Sequence, residues 1–363
     1  MNLTTQEVLL SIRNYGNIVR FNKPIKYMNM SNLHIQVLKA EYGDCIFISI
    51  KKEEREFNIL VDGGLPETYE NVRDRRHPAG PLKELIDELK QHSRLIDLVV
   101  ITHIDDDHIG GVKKWFESDF PSNEFVKKVW MNGDIEVEDN VDLNNSVKNA
   151  VSVIRKLKDN NIFLNDEVIK GYFCKNEFCT IRILTPAKEY RNTIAKAIHE
   201  SLDNVANTKV SDDKSFRELI QEEWKMENIT PANKASIAFE LEIWDGEKLL
   251  FLGDADYNDI MSGLVVFHKD KSEKLKYDMI KLSHHGSKNN FHPDFLERIY
   301  ASYYIVSSNG KRFGHPDKEV LAHIICNSDS SIMFNYEDRM KEIITLQDYI
   351  DFPNLASRIK AID

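Results

Sequence analysis

Four apolar segments of the chain run directly into aspartate or histidine, and each has the length and character of a buried strand. They end at Asp62, His103, Asp254 and the pair His284 and His285, and their sequences are FNILVD, LIDLVVITH, KLLFLGD and MIKLSHH. One strand-end aspartate is usually a turn residue, and one histidine is usually structural. Four such ends in one chain favour a shared metal-binding edge, because imidazole and carboxylate are ligands of divalent metals.

The order of strand and helix patterns predicts the layers behind that edge. Two clusters of strands flanked by amphipathic helices, such as PLKELIDELKQH, indicate an α/β fold of the four-layer αββα sandwich type. We expect residues 33–340 to form this domain, with an N-terminal extension over 1–32 and a C-terminal tail over 341–363. A charged, mostly helical stretch at about 187–232 is expected to be an insertion, and its charge favours a solvated helical cap over a lid above a site.

Composition narrows the class of protein. The 363 residues carry 48 Lys and Arg against 59 Asp and Glu, a net charge of −11, which argues against non-specific coating of nucleic acid or anionic membranes. No apolar run approaches the ~20 residues that span a bilayer, and the N-terminus shows no signal-peptide pattern. The four cysteines have no metal-type CxxC spacing and are expected to be reduced thiols, so we predict a cytoplasmic protein with no membrane partner.

The richest motif is the loop THIDDDHIGG at residues 102–111, which follows an apolar strand. At the strand end, His103 and Asp105 point to one side, and the turn lets Asp107 and His108 reach a second point. One loop can therefore supply ligands to two adjacent metal ions. The alternative, an acidic surface loop with incidental histidines, is disfavoured because the other strand ends supply partners.

Together these motifs resemble the metallo-β-lactamase superfamily, whose pattern is a first-strand Asp, an HxHxDH loop, a later His, a bridging Asp and a final His. The set VDGG, THIDDDHIGG, NKAS, FLGDAD, KLSHHGS and FGHP is most similar to the soluble hydrolase domain of ComEC-type competence proteins and their free-standing bacterial relatives. The resemblance covers roughly residues 33–330 and does not extend to the ComEC membrane channel.

The resemblance implies two divalent metal ions, zinc or manganese. His103 and Asp105 would hold the first ion, and Asp254 would bridge both. Asp105 stands where the family has histidine, and His199 is the only histidine between His108 and Asp254 that could supply the later ligand. The first site is therefore expected to be oxygen-rich and incomplete, which shifts its preference from zinc towards manganese or magnesium. An inactive relative with a decayed site is the alternative.

The second ion would be held by Asp107 and His108. His285, or else its neighbour His284, would complete that site, and the sequence leaves the choice between them open. The side chains expected to orient the ligands from behind are Asp62 and Asn233.

The implied reaction is hydrolysis by a hydroxide bound between the two ions. Asp107 would position the hydroxide, and His284 or His315 would protonate the leaving group. Basic groups around the implied mouth suit a phosphodiester better than a neutral lactam or lactone; they are the stretch RDRRH at 73–77, Lys288, Lys311 and Arg312. We therefore expect a phosphodiesterase, and more specifically a nuclease acting on DNA or RNA.

Two other functions stay open at the level of sequence. A small-molecule phosphoester esterase of the phosphocholine type would share the double-histidine motif. A metal-binding partner module of a bacterial phage-defence complex would use the extension and the charged insertion as contact surfaces, for another protein or for a second copy of the chain. Lactamase, thioesterase and lactonase activities fit less well, because the loop departs from HxHxDH.

Overall fold

The computed structural model describes residues 28–71, 78–132, 145–165, 167–191, 213–227, 229–269 and 273–362. Within these ranges the chain forms two β-sheets that pack face to face, with helices on both outer surfaces. The predicted αββα sandwich is confirmed, because apolar residues of both sheets share one buried cluster between them. In that cluster Ile48 and Val100 of one sheet lie with Phe239 and Met279 of the other.

The first sheet has seven strands in chain order, antiparallel from its first to its fourth strand and parallel from there on. They are β1 (Met28–Met30), β2 (Leu33–Val37), β3 (Ile46–Lys52), β4 (Arg55–Val61), β5 (Leu98–Ile101), β6 (Lys128–Met131) and β7 (Phe163–Asn165). β2 alternates buried and half-buried residues, as its period-two pattern predicts. β5 is buried along its whole length, because the parallel part of the sheet is covered on both faces.

The second sheet has eight strands, also adjacent in chain order, and changes from antiparallel to parallel at its fourth. They are β8 (Phe173–Lys175), β9 (Cys179–Thr185), β10 (Ala238–Ile243), β11 (Lys248–Phe251), β12 (Leu275–Lys281), β13 (Ile299–Val306), β14 (Ser331–Phe334) and β15 (Ile359–Ala361). The hairpin predicted across Asp245 and Gly246 joins β10 and β11, and Gly246 supplies the positive φ of 104° that the turn requires.

The helices cover the outer faces of both sheets. The α-helices in the described residues are α1 (Pro66–Tyr69), α2 (Pro81–Gln91), α3 (Asp106–Ser118), α4 (Asn145–Asp159), α5 (Lys188–Arg191), α6 (Phe216–Leu219), α7 (Pro231–Lys234), α8 (Tyr257–His268), α9 (Phe295–Arg298), α10 (Lys318–Asn327), α11 (Glu337–Ile343), α12 (Leu346–Asp351) and α13 (Leu355–Arg358). α2 begins at a proline and buries Leu82, Leu85, Ile86 and Leu89, the stripe that its spacing predicts. Among the described residues, none of the helices combines the length and the apolar character needed to span a bilayer.

Three segments differ from the boundaries that the sequence suggested. β1 lies in the expected extension, so the sheet begins before residue 33. The expected C-terminal tail supplies β15, which pairs in parallel with β14, and Ile359 and Ile362 are buried there. In the expected insertion, Phe216 and Leu219 of α6 are buried in the core and not in a solvated cap. Residues 192–212 of that insertion lie outside the described residues, as does His199.

Candidate metal centre

The centre lies where parallel strands of the two sheets end. β4 and β5 are parallel neighbours in one sheet, and β11 and β12 are parallel neighbours in the other. Asp62 and His103 follow the first pair of strands, and Asp254 and His284 follow the second. Because parallel strands end at the same edge of a sheet, these predicted side chains are brought together.

Asp254 is the residue on which the two sides of the centre meet. Its Oδ2 lies 3.6 Å from Nε2 of His103, and its Oδ1 lies 3.4 Å from Nε2 of His108. The three ligand atoms of His103, His108 and Asp254 lie within 4.8 Å of one another. Each carboxylate oxygen of Asp254 thus faces a different histidine, and its expected bridging role stays a prediction.

A second group of ligand atoms adjoins the first and shares His108. Oδ2 of Asp107 lies 3.4 Å from Nε2 of His285 and 3.8 Å from Nε2 of His108. These three atoms also lie within 4.8 Å of one another. The side chains that the sequence expected around the second ion are therefore together, with His285 in the position that the sequence left open.

The adjacent histidines His284 and His285 point to different parts of the centre. Nε2 of His284 lies 3.7 Å from Oδ2 of Asp254, the oxygen that also faces His103. His284 thus lies on the side where the sequence found a missing ligand, and its expected role as the proton donor does not fit this position. Asp105 is on the same side, with its Oδ2 3.7 Å from Nε2 of His103.

The backbone of the double histidine explains this divergence. The two residues sit in a 3₁₀ turn, Ser283–Gly286, with φ values of 45° for His284 and 56° for His285. Positive φ is uncommon outside glycine and is usually retained where a site needs it. Here it directs two consecutive imidazoles into the same centre.

Asp62 fixes the orientation of His108 from behind. Its Oδ2 lies 2.9 Å from Nδ1 of His108, and it also accepts hydrogen bonds from the backbone N–H and hydroxyl of Thr102, both at 2.7 Å. The same Thr102 hydroxyl lies 3.0 Å from Nδ1 of His103. Both Nδ1 atoms are thus occupied, so Nε2 of each ring is the atom that faces the centre. The sequence pointed to Asp62 but not to Thr102.

His284 is held by amides. Its Nδ1 lies 3.0 Å from Oδ1 of Asn290 and 3.3 Å from Nδ2 of Asn233. Asn290 donates through Nδ2 to the carbonyl of Asp254, which leaves its Oδ1 to accept from Nδ1–H of His284. Asn233 lies where the sequence expected it, whereas Asn290 was not assigned to the centre.

His285 is held by a buried ion pair that sequence reasoning missed. Nδ1 of His285 donates to the carbonyl of Ser307 at 2.8 Å and lies 3.3 Å from Oδ1 of Asp44. Oδ2 of Asp44 lies 2.6 Å from Nζ of Lys281, and both side chains are fully buried. A lysine inside the apolar strand DMIKLS was the available signal, since a buried ammonium needs a buried partner.

Four of the ligand atoms assigned to this centre are buried and make no hydrogen bond among the described residues. They are Nε2 of His103, of His108 and of His285, and Oδ1 of Asp254. Leaving a buried polar atom unpartnered costs about 1–3 kcal/mol each, so such atoms indicate a ligand. Imidazole nitrogen and carboxylate oxygen that converge in this way fit a divalent ion of the zinc or manganese type.

Comparison with known proteins bears on the fold. Residues 39–123, which contain the first loop of the centre, match the family model described as the metallo-β-lactamase superfamily. The chain has the metallo-β-lactamase fold. No curated protein sequence matches it.

Several solved structures are similar to this chain at low identity. "A possible metal-dependent hydrolase" from Veillonella parvula DSM 2008 is 13% identical, with 94% of this chain and 97% of that one covered and a TM-score of 0.41. An isothiocyanate hydrolase from Delia radicum gut bacteria is 11% identical, with 90% and 95% covered and a TM-score of 0.40. A metallo hydrolase from the archaeon Ignicoccus hospitalis is 12% identical, with 91% and 94% covered and a TM-score of 0.36. Similarities of this size carry no information about the substrate.

Burial sets the protonation state on the His103 side of the centre. Burial, with the neighbouring His108, lowers the pKa of His103 to about 4, and burial also lowers the pKa of His284 to about 4. Burial and three nearby aspartates raise the pKa of Asp105 to about 7. His103 and His284 are therefore neutral at pH 7, which is the form of imidazole that binds a metal ion.

Carboxylates outweigh burial on the His285 side. Burial disfavours the charged form of His108, yet Asp254 and two other aspartates raise its pKa well above the usual value. Burial also disfavours the charged form of His285, but Asp44 and the other nearby carboxylates together favour it more strongly, and the pKa of His285 rises to about 9. A divalent ion replaces the charge that these protons supply, so metal binding at this metallo-β-lactamase-fold centre should release protons.

The predicted substrate-binding residues occupy different positions around the centre. Lys311 and Arg312 are exposed beside the loop that carries His315, whose ring lies 5.1 Å from that of His284. Nζ of Lys288 lies 3.4 Å from Oε1 of Glu319, so its charge is already paired. The basic stretch 73–77 lies outside the described residues.

Proposed function

We propose that the protein is a metal-dependent phosphodiesterase that cleaves DNA or RNA at a two-ion centre. The observation that carries the hydrolase assignment is the convergence of buried, unpartnered imidazole nitrogens on Asp254. Support for a phosphodiester substrate comes from the exposed cations Lys311 and Arg312 beside His315, on a chain whose net charge is −11. The motif resemblance to ComEC-type hydrolase domains supports the same substrate class.

The ligand atoms divide into two sets around Asp254. When bound, two divalent ions supply an acidified water and neutralise charge on the attacked phosphoryl group. The residues that would hold them are His103, Asp105 and His284 for one ion, Asp107, His108 and His285 for the other, and Asp254 for both. The Asp107 carboxylate is partly exposed, so it can also accept a hydrogen bond from the attacking water and fix its orientation.

His315 is the imidazole left to protonate the leaving oxygen. Nε2 of His284 lies 3.7 Å from Oδ2 of Asp254 and is assigned to a metal ion, whereas His315 lies beside it, with its ring 5.1 Å from that of His284. Nδ1 of His315 lies 3.7 Å from Oδ1 of Asp317, which can stabilise the charged ring. General acid catalysis needs a proton donor beside the leaving oxygen, and we assign that role to the imidazole of His315.

Metal content is the first test. The purified protein is analysed by mass spectrometry after removal of metal with EDTA and reloading with manganese or zinc, next to Asp254→Asn and the control Asp87→Asn on α2. We expect about two equivalents in the parent and in the control, and less than one in Asp254→Asn, because that variant removes the carboxylate shared by both ligand sets. Full metal content in Asp254→Asn would refute the bridging role.

Activity is the second test. We expect the reloaded parent to cleave bis-p-nitrophenyl phosphate and single-stranded DNA or RNA, and His315→Ala to lower the rate about 10²–10⁴-fold with its metal content unchanged. A metal-loaded parent that cleaves none of these substrates contradicts the phosphodiesterase. Turnover of small diesters alone would favour the small-molecule esterase.

A further inference from the structure

Beside the centre, Tyr42, Arg312 and Phe313 form one cluster, here called the aromatic–arginine cluster. The Arg312 guanidinium lies 5.1 Å from the ring centroid of Tyr42 and 4.9 Å from that of Phe313. It also donates to the Tyr42 hydroxyl at 2.6 Å, and the two rings meet edge to face at 5.7 Å. Arg312 is exposed and both rings are partly exposed, so the cluster presents a charge and part of each ring to solvent.

The cluster is connected to the centre on two sides. Phe313 lies 6.2 Å from the ring of His315, whose ring lies 5.1 Å from that of His284. On the other side, Tyr42 precedes Gly43, and a Cβ placed on Gly43 would overlap the carbonyl oxygen of Asp107. The loop that carries Tyr42 therefore packs directly on the loop that carries the ligands.

The chemistry of the cluster separates the ligands that could dock there. The Arg312 cation would repel a quaternary ammonium group such as choline, because both carry a positive charge. A phosphate has the opposite charge and suits the fork of the guanidinium. A flat base can stack on a half-exposed tyrosine or phenylalanine, and every base has such a face.

We propose that the aromatic–arginine cluster binds the nucleobase and adjoining phosphate of a nucleotide substrate, with Tyr42 and Phe313 as specificity-determining residues. The proposal rests on the proposed phosphodiesterase function and names its substrate class as nucleotidyl esters. It assigns to Tyr42 and Phe313 a role that the metal centre and the basic residues do not fill.

Binding measurements test the proposal without any need for turnover. Calorimetry on the manganese-loaded protein compares adenosine 5′-monophosphate, ribose 5-phosphate and phosphocholine. Stacking of one base favours the nucleotide over ribose 5-phosphate by about 10-fold or more. A parent that binds both equally, or that binds phosphocholine more tightly than either, overturns the proposal.

Variants then locate the preference. Tyr42→Leu and Phe313→Leu should each remove most of the nucleotide preference and leave the affinity for ribose 5-phosphate and the metal content unchanged, whereas Tyr42→Phe should keep the preference. The control is Phe163→Leu, an exposed phenylalanine with Lys128 5.4 Å from its ring centroid, on the edge strand β7. A preference that survives in both leucine variants overturns the assignment. If Tyr42→Leu fails to fold, Phe313→Leu decides alone.

A kinetic comparison separates this proposal from the phosphodiesterase itself. Thymidine 5′-monophosphate p-nitrophenyl ester and methyl p-nitrophenyl phosphate have the same leaving group and differ in the nucleoside. The cluster variants should lower kcat/KM for the first and not for the second. If the parent hydrolyses neither ester but prefers adenosine monophosphate in calorimetry, the phosphodiesterase fails and the base-binding cluster stands.

Discussion

Replacing Lys281 by methionine should destabilise the protein more than any exposed lysine substitution. Nζ of Lys281 lies 2.6 Å from Oδ2 of Asp44, and the two side chains are 2% and 3% exposed. Burial alone would raise the pKa of Asp44, but Lys281 and His285 lower it below its usual range, so the carboxylate is ionised inside the protein. Lys281→Met leaves that charge buried and without its ammonium partner.

The magnitude follows from this burial. Removing one partner of a buried ion pair costs about 3–5 kcal/mol, because the remaining charge has lost its compensation. The double variant Lys281→Met with Asp44→Asn removes both charges and should lose less stability than Lys281→Met alone. The exposed pair of Lys341 and Glu337, at 2.8 Å, is the control, and Lys341→Met should cost about 0–1 kcal/mol.

Urea unfolding of the EDTA-treated protein at pH 7 gives the free energy of unfolding without a contribution from bound metal. It is measured for Lys281→Met, Asp44→Asn, their double variant and Lys341→Met. The cycle of single and double variants then gives the coupling between Lys281 and Asp44. Costs that simply add, or a Lys281→Met variant that is no less stable than Lys341→Met, would refute the reasoning. Metal affinity gives a second readout, since Asp44 faces His285 and Asp44→Asn should weaken binding at that side.

Two further predictions concern other parts of the network. Thr102→Val removes the hydroxyl that donates to Asp62 and lies beside Nδ1 of His103, so metal affinity measured by chelator competition should fall about 10–100-fold while the fold is kept. An unchanged affinity would contradict this role of the hydroxyl. Away from the centre, burial opposes ionisation of Glu240, but hydrogen bonds from His268 and Tyr277 lower its pKa to about 2, below the unfolded value of 4.5. The stabilisation that ionised Glu240 provides is therefore present above pH 4.5 and lost as the pH falls towards 2. The free energy of unfolding in urea, measured at pH 7 and at pH 3, should depend less on pH in Glu240→Gln than in the parent. An equal pH dependence in the two proteins would count against this role of Glu240.

The positions where the strands end could be predicted from the sequence, because each strand is recognised from a run of adjacent apolar residues. Asp62, His103 and Asp254 each follow an apolar run that can only be a buried strand, and the alternation of such runs with amphipathic helices predicts the layered fold. Asp254 lies between His103 and His108, and the bridging role that the motif resemblance implied for it stays a prediction.

The different positions of His284 and His285 in the centre depend on the tertiary structure. Their sequence positions are equivalent, and only the left-handed backbone of the turn sends one ring to each side of Asp254. The same holds for the end of the chain, where β15 becomes a strand because a sheet edge is available to pair with it.

What the sequence by itself determined, then, is most of the strands and helices, with β1 and β15 as exceptions, and the identity of most groups that they carry to one edge. The tertiary structure alone decided which of those groups face each other and which distant residues support them. Lys281 of β12 meets Asp44, which precedes β3, and Arg312 meets Tyr42 between loops that follow strands of different sheets. Such contacts join residues far apart in the chain, and no local pattern of hydrophobicity or charge records them, because they form only once both sheets have packed.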